Sequence, residues 1–255
     1  MIELNAIYVI VMRELKKFFR ERSRLVSAIA RPLIWLFMVG AGLSRLVSPN
    51  AGMTYTQFIF PGILGMTILF SSIFSSISII WDKEFGFLKE ILVAPVRRSS
   101  IVIGKALSGT AVSTIQAVIV LLLFPVIGIK LTFIQFITTV IVCMVVAFSI
   151  SSFGIVLATF YESYESFSVI MNFIIMPMFF LSGAMYPVKV LPLPLKYASA
   201  INPLTYGVDA LKNTVFRIEA GPMSPDFSLG FDLLIILLSS ALFVGLASRF
   251  FERKG

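Results

Sequence analysis

Residues 133–160 read FIQFITTVIVCMVVAFSISSFGIVLATF, 28 consecutive residues without a charge. At a helical rise of about 1.5 Å per residue, roughly 20 apolar residues cross a hydrocarbon core of about 30 Å. The run therefore predicts a transmembrane helix. Working outward, five more runs of span length lie at about residues 25–47, 57–81, 104–129, 167–188 and 231–250. The first of them carries Arg31 immediately before Pro32, and the last is bounded by Asp232 and Arg249. The whole chain agrees: its 255 residues are 58% apolar and 13% charged, with a mean hydropathy of +0.98. Soluble domains run near 45–50% apolar and about 25% charged. The fold class is an all-α integral membrane protein with six spans in one transmembrane domain, 1–255. Residues 1–24 precede the spans, 25–250 hold them and 251–255 form a tail.

Lys and Arg are unequally shared between the two sides. On the side of the N-terminus fall Arg13, Lys16, Lys17, Arg20, Arg22, Arg24, Lys83, Lys89, Arg97, Arg98, Lys105, Arg249, Arg253 and Lys254. The other side has only Arg45, Lys130, Lys189, Lys196, Lys212 and Arg217. The positive-inside rule then puts both termini in the cytoplasm. A cleaved signal peptide is not expected, because the charged lead is long and the first apolar run has span length. Within that lead, Leu4, Ile7, Tyr8, Val11, Leu15, Phe18 and Phe19 share one helical face, while Arg13, Lys16, Lys17, Arg20 and Glu21 cover much of the rest. This predicts an amphipathic interfacial helix, either anchored on lipid headgroups or also touching a cytoplasmic partner.

Several chemistries are excluded. The chain has no histidine and one cysteine, Cys143, so internal disulfides, His- or Cys-based zinc sites and Ser-His or Cys-His catalysis are ruled out. The net charge of +8 follows from the orientation rule, so no nucleic-acid partner is implied. No phosphate loop is present: Gly104-Lys105 is followed by Ala106, with Ser99 where a glycine is required. Gly40-Ala41-Gly42 is followed by Arg45 and makes no dinucleotide fingerprint. The chain is thus not expected to be an enzyme or to hold a cofactor. No span centre carries an acid–base pair, which counts against an ion-coupled carrier. Arg31 either snorkels to the near interface or acts as a functional charge. Ser71, Ser72, Ser75 and Ser76 in the second span, and Ala147, Ser151, Gly154 and Ala158 in the fourth, suit close helix packing, with a substrate path as the alternative.

Two segments carry more information. Residues 81–98 read WDKEFGFLKEILVAPVRR, with Phe85, Leu88, Ile91 and Leu92 at helical spacing and Pro95 as a stop. This predicts a short amphipathic cytoplasmic helix over 82–95. After the fifth span come Leu181-Ser182-Gly183-Ala184-Met185-Tyr186-Pro187 and Ile201-Asn202-Pro203-Leu204-Thr205-Tyr206-Gly207. There Pro187, Pro192, Pro194 and Pro203 break any continuous helix in an apolar, aromatic stretch suited to an interface.

In the order of their residues, Glu84-Phe85-Gly86 followed by Leu-x-x-Ile-Leu-Val-x-Pro-Val resembles the cytoplasmic segment of permeases of type-2 ATP-binding-cassette exporters, the group of daunorubicin-resistance and nodulation-factor export permeases. The stretch 181–212 is similar to that family's loop between its last two spans. The resemblance implies a multi-pass permease in the cell (inner) membrane of a prokaryote, a homodimer or a dimer with a sister permease. It further implies separate ATP-binding subunits that hold ATP and Mg, and export of a drug, lipid or lipid-linked glycan. The ATPase-coupling helix would map to Glu84, Phe85, Gly86, Leu88, Leu92 and Pro95. Re-entrant outer helices, a lid or a gate, would map to Ser182, Gly183, Pro187, Asn202, Pro203 and Tyr206. An ion-coupled carrier or channel working without an ATPase is the alternative. A lipid-modifying membrane enzyme is disfavoured, since Glu162 and Glu165 on a short loop read as a solvated turn.

Overall fold

A computed structural model of the chain describes residues 3–43, 54–86, 96–216 and 224–253. Among these there is no strand. The helices are α1 (Leu4–Arg20), α2 (Arg22–Leu43), α3 (Tyr55–Glu84), α4 (Arg98–Leu121), α5 (Phe133–Phe160), α6 (Tyr164–Leu181), α7 (Leu193–Ile201), α8 (Pro203–Val215) and α9 (Leu229–Arg253), with a 3-10 turn at Val188–Val190. Helices α3, α4, α5, α6 and α9 are long and apolar enough to cross a bilayer. The first expected span is α2, in which the apolar stretch among the described residues is Ala30–Gly40, with Arg31 and Pro32 inside it. Residues 44–47 of that expected span lie outside the described residues.

Helix starts follow local chemistry. Thr54 and Gln57 form a reciprocal capping box at the start of α3, and Thr132 and Gln135 repeat it at the start of α5. Ser163 accepts from the Ser166 N–H at the start of α6. The fifth expected span was to run to 188, yet α6 stops at Leu181. Gly183 takes φ +76°, a left-handed conformation that ends the helix.

Helix α3 is the central post, buried along most of its length against α2, α4, α5 and α8. Small residues permit the close approach. A Cβ on Gly109 would fall 2.6 Å from Ser151 Oγ, and one on Gly154 2.9 Å from Ser76 Oγ. Ser72 Oγ donates to Ser113 Oγ at 2.9 Å across the α3–α4 seam. The serine and small-residue stripes therefore work as packing faces. Cys143 lies at the same core, fully enclosed. The outward faces of α6 and α9 are apolar and open, with Val169, Phe173, Leu234, Leu238 and Leu242 exposed.

Helix α8 goes deep into the bundle. Gly207 meets Val146, 13 residues into α5, and Gly65, ten residues into α3, meets Val208. At about 1.5 Å per residue these contacts lie roughly 15–20 Å below the helix ends.

Candidate functional site

The end of the bundle that carries α1 concentrates charge. Glu14 interrupts the face of α1 whose Ile7 and Phe18 are buried, and it is itself 9% exposed. A buried acid needs a cation, and α4 supplies one. Lys105 Nζ donates to Glu14 Oε1 at 2.9 Å, to Asp82 Oδ2 at 2.6 Å and to Ser78 Oγ at 3.0 Å. Arg13 closes the cluster with a 2.8 Å bond from its guanidinium to Asp82 Oδ1. Partial burial works to lower the Arg13 pKa, but the hydrogen bond to and charge of Asp82 outweigh it and hold the guanidinium above its ordinary value. Asp82 thus takes two cations on one carboxylate and joins α1, α3 and α4.

Neighbouring contacts tighten the junction. A Cβ on Gly104 would lie 3.1–3.3 Å from Ile10, so α1 lies directly on the α4 backbone. Lys17 Nζ sits 4.2 Å from the centroid of Trp81. Lys83 Nζ donates to the carbonyls of Ala158, Thr159 and Tyr161 at 2.7, 3.2 and 3.0 Å, covering the end of α5.

The sequence-derived coupling residues begin where this junction ends. Asp82, Lys83 and Glu84 continue α3 rather than opening a separate helix, and Glu84 is its last residue. Phe85 is exposed and Gly86 takes φ +80°, turning the chain away from α3. Leu88, Leu92 and Pro95, with the rest of residues 87–95, lie outside the described residues. The chain is described again at Val96, and α4 starts at Arg98. Both residues bounding this segment in the core, Asp82 and Lys105, belong to the same ionic cluster.

At the opposite end, the six residues expected at the outer segment gather around the junction of α6, α7 and α8. Ser182 Oγ donates to the Phe179 carbonyl at 2.6 Å, and Pro187 precedes the 3-10 turn. Asn202 starts α8: its Oδ1 accepts from the Leu204 N–H at 3.1 Å, while Nδ2 donates to the Met178 carbonyl at 2.7 Å. Pro203 is the first residue of α8, where no N–H is needed. Tyr206 OH donates to the Ala200 carbonyl at 2.8 Å, and its ring packs on Phe227 and Phe231. Gly183 gives its carbonyl to Lys212 Nζ at 2.8 Å.

Sequence reasoning missed the partners that hold both ends. Asp209 takes N–H bonds from Asp226 and Phe227, each at 2.8 Å, and Lys212 lies 5.2 Å from the Phe58 centroid at 2% exposure. At the α1 end, the available signals were an acid at position 14 within an apolar stripe and a lysine one residue inside an apolar run.

The chain is similar to known proteins over most of its length. The family described as ABC-2 type transporter matches residues 5–216. The transport permease ycf38 of Cyanophora paradoxa is 32% identical over 213 residues, covering 82% of this chain and 73% of that protein. Nodulation protein J of Rhizobium leguminosarum bv. trifolii is 28% identical over 203 residues, covering 74% and 73%. The inner membrane transport permease YadH of Escherichia coli (strain K12) is 23% identical over 226 residues, covering 85% of each chain.

Proposed function

The chain belongs to the ABC-2 type transporter family, and from that premise we propose that it is the permease subunit of an ATP-driven exporter of an amphiphilic substrate. A separate ATP-binding subunit, holding ATP and Mg, docks on the segment after α3 and does the hydrolysis. Two permease copies, or this chain and a sister permease, form the pathway in the cell (inner) membrane of a prokaryote, surrounded by its lipids, with both termini in the cytoplasm. The name of the E. coli relative supports the location, and the distribution of Lys and Arg supports the orientation.

One observation carries the mechanism: Asp82 and Lys105, on either side of the docking segment, share one buried cluster with α1. A displacement of residues 84–98 is therefore delivered at once to α1, α3 and α4, instead of being absorbed in a loop. Nucleotide closure in the partner biases the permease only through contacts that differ between two arrangements of the spans, and this cluster is a place where such contacts change together. At the far end, Ser182, Gly183, Pro187, Asn202, Pro203 and Tyr206 lie where α8 enters the bundle and form the exit gate.

The test is to tag the chain, purify it gently from its native membrane and identify what accompanies it. A P-loop ATPase at about one copy per permease, lost on alteration of residues 82–95, is the expected result. Glu84→Ala and Gly86→Pro should abolish transport while leaving a folded membrane protein. Full transport by both variants sinks the coupling role, and a stable permease that moves substrate with no ATPase turns the reading to an ion-coupled carrier.

A further inference from the structure

Arg31 does not run toward the nearer end of the bundle. Its guanidinium carbon lies 4.8 Å from the centroid of Phe70 and 5.8 Å from that of Phe74, two rings of α3 stacked 6.3 Å apart with 23° between their planes. Phe70 is 15 residues from the first residue of α3 and 14 from the last, which makes it the midpoint of a 30-residue helix. At about 1.5 Å per residue, the cation is thus held some 21 Å from the Glu84 end, near the middle of the hydrocarbon. A charge at that depth faces a polar interior or pairs with an opposite charge.

Among the described residues no acidic side chain pairs with that cation. Of the 13 acidic residues only Asp232 falls inside the six apolar runs, as the second residue of the last, and the acid that α8 carries into the bundle, Asp209, is held by the N–H groups of Asp226 and Phe227. The Arg31 side chain is exposed. The ring faces stabilise the cation without neutralising it. Around it the surface is apolar: Ile34 and Met38 follow Arg31 on the same stripe of α2, exposed by 55% and 71%, and Trp35 packs edge-on to Phe179 at 6.2 Å. A fixed cation on an aromatic platform, beside an open apolar stripe at membrane depth, matches a molecule with an anionic head and a hydrocarbon tail.

We infer that Arg31, together with Phe70 and Phe74, is a binding site for the anionic head of an amphiphile, a phosphate, sulfate or carboxylate, whose tail lies along Ile34 and Met38. The inference deepens the exporter reading by giving the substrate a charge, and as a substrate site it rests on that reading. The guanidinium provides two parallel N–H donors to the anion while its face stays on the rings, a combination that lysine cannot reproduce.

The test uses the permease purified with its ATP-binding partner in phosphatidylcholine nanodiscs. Two fluorescent probes share one alkyl chain, an alkyl phosphate and a neutral alkyl glucoside, and both are titrated without ATP. The wild type should bind the phosphate at least tenfold more tightly than Arg31→Gln does, with glucoside binding the same in both, which also reports that the variant is folded. Arg31→Lys and Phe70→Leu should each lose severalfold of the phosphate preference. Equal phosphate affinity in the wild type and Arg31→Gln overturns the site; if that variant does not fold, an unchanged preference in both Arg31→Lys and Phe70→Leu overturns it. Phosphatidylglycerol in the disc separates the two sources of the anion. If it displaces the probe and stays bound through ATP turnover, the occupant is a bilayer lipid; if the probe is released on ATP addition and phosphatidylglycerol does not compete, the occupant is cargo. Either result keeps the anion site. Arg31-dependent phosphate binding in a permease that carries no ATP-coupled transport of any amphiphile overturns the exporter reading alone, whereas nucleotide-coupled transport of a neutral amphiphile with no Arg31-dependent phosphate binding overturns the site alone.

Discussion

At the α1 end the buried charges meet side chain to side chain, with Asp82 shared by Arg13 and Lys105 and Lys105 shared by Asp82 and Glu14; at the α8 end they are held mainly by backbone, with Asp209 on the N–H groups of Asp226 and Phe227 and Lys212 on the Gly183 carbonyl. The contrast has a physical meaning. Side-chain partners on three separate helices can trade places when the helices slide, since each group keeps a partner of opposite sign. Backbone donors are fixed by their own turns and release a charge only if the turn opens. The first arrangement suits an input that must move, and the second a closure that must stay shut until it is opened.

The largest break in this comparison should come from Asp82→Ala, which leaves Lys105 and Arg13 without their shared carboxylate. Breaking a buried pair costs about 3–5 kcal/mol, so thermal unfolding of the purified protein should show a large drop. The triple variant Glu14→Leu, Asp82→Leu and Lys105→Met should recover much of it, because it removes both buried pairs of Lys105 together and leaves neither Glu14 nor Lys105 as a buried unpaired charge, and yet should not recover ATP-coupled transport. Next comes Gly62→Ala, where the new Cβ would lie 2.4 Å from the Ala184 carbonyl oxygen and 2.7 Å from its Cα. Backbone cannot give way cheaply, and overpacking of about 3 kcal/mol is expected, with faster proteolysis at 184–190 as the second readout.

Lys212→Met sharpens the contrast. It removes the cation from the Gly183 carbonyl while keeping most of the packing volume, at about 2 kcal/mol for a buried acceptor left unpaired. If the α8 end is a static closure, this variant should lower thermal stability without changing ATPase stimulation. The smallest effect belongs to Gly86→Ala: a Cβ there meets nothing within 4 Å, so only the φ of +80° is penalised, at about 1 kcal/mol. A loss of coupled transport far beyond that loss of stability would show that the turn after α3 is mechanical.

The spans were legible because length and apolarity act locally: a run such as 133–160 has no other stable home. Chain breakers were equally readable, and Pro187, Pro192 and Pro203 all stand at the starts of short helical elements. Pairing between helices was not. Glu14, Asp82 and Lys105 are separated by up to 91 residues, and their meeting depends on the register of three helices, which no local pattern encodes. The same holds for Arg31: its sequence position near a span end suggested an escape to the interface, whereas packing of α2 on α3 turned it onto Phe70.

The enclosed thiol has a practical consequence. Because Cys143 is the chain's one cysteine and lies at 0% exposure in the core, water-soluble maleimides and spin labels have no native target here. A single cysteine placed at Phe85 or Ile201, both widely exposed, would report from opposite ends of the bundle in an otherwise native chain, and a pair of such positions would give distances between the two ends as nucleotide is bound and released.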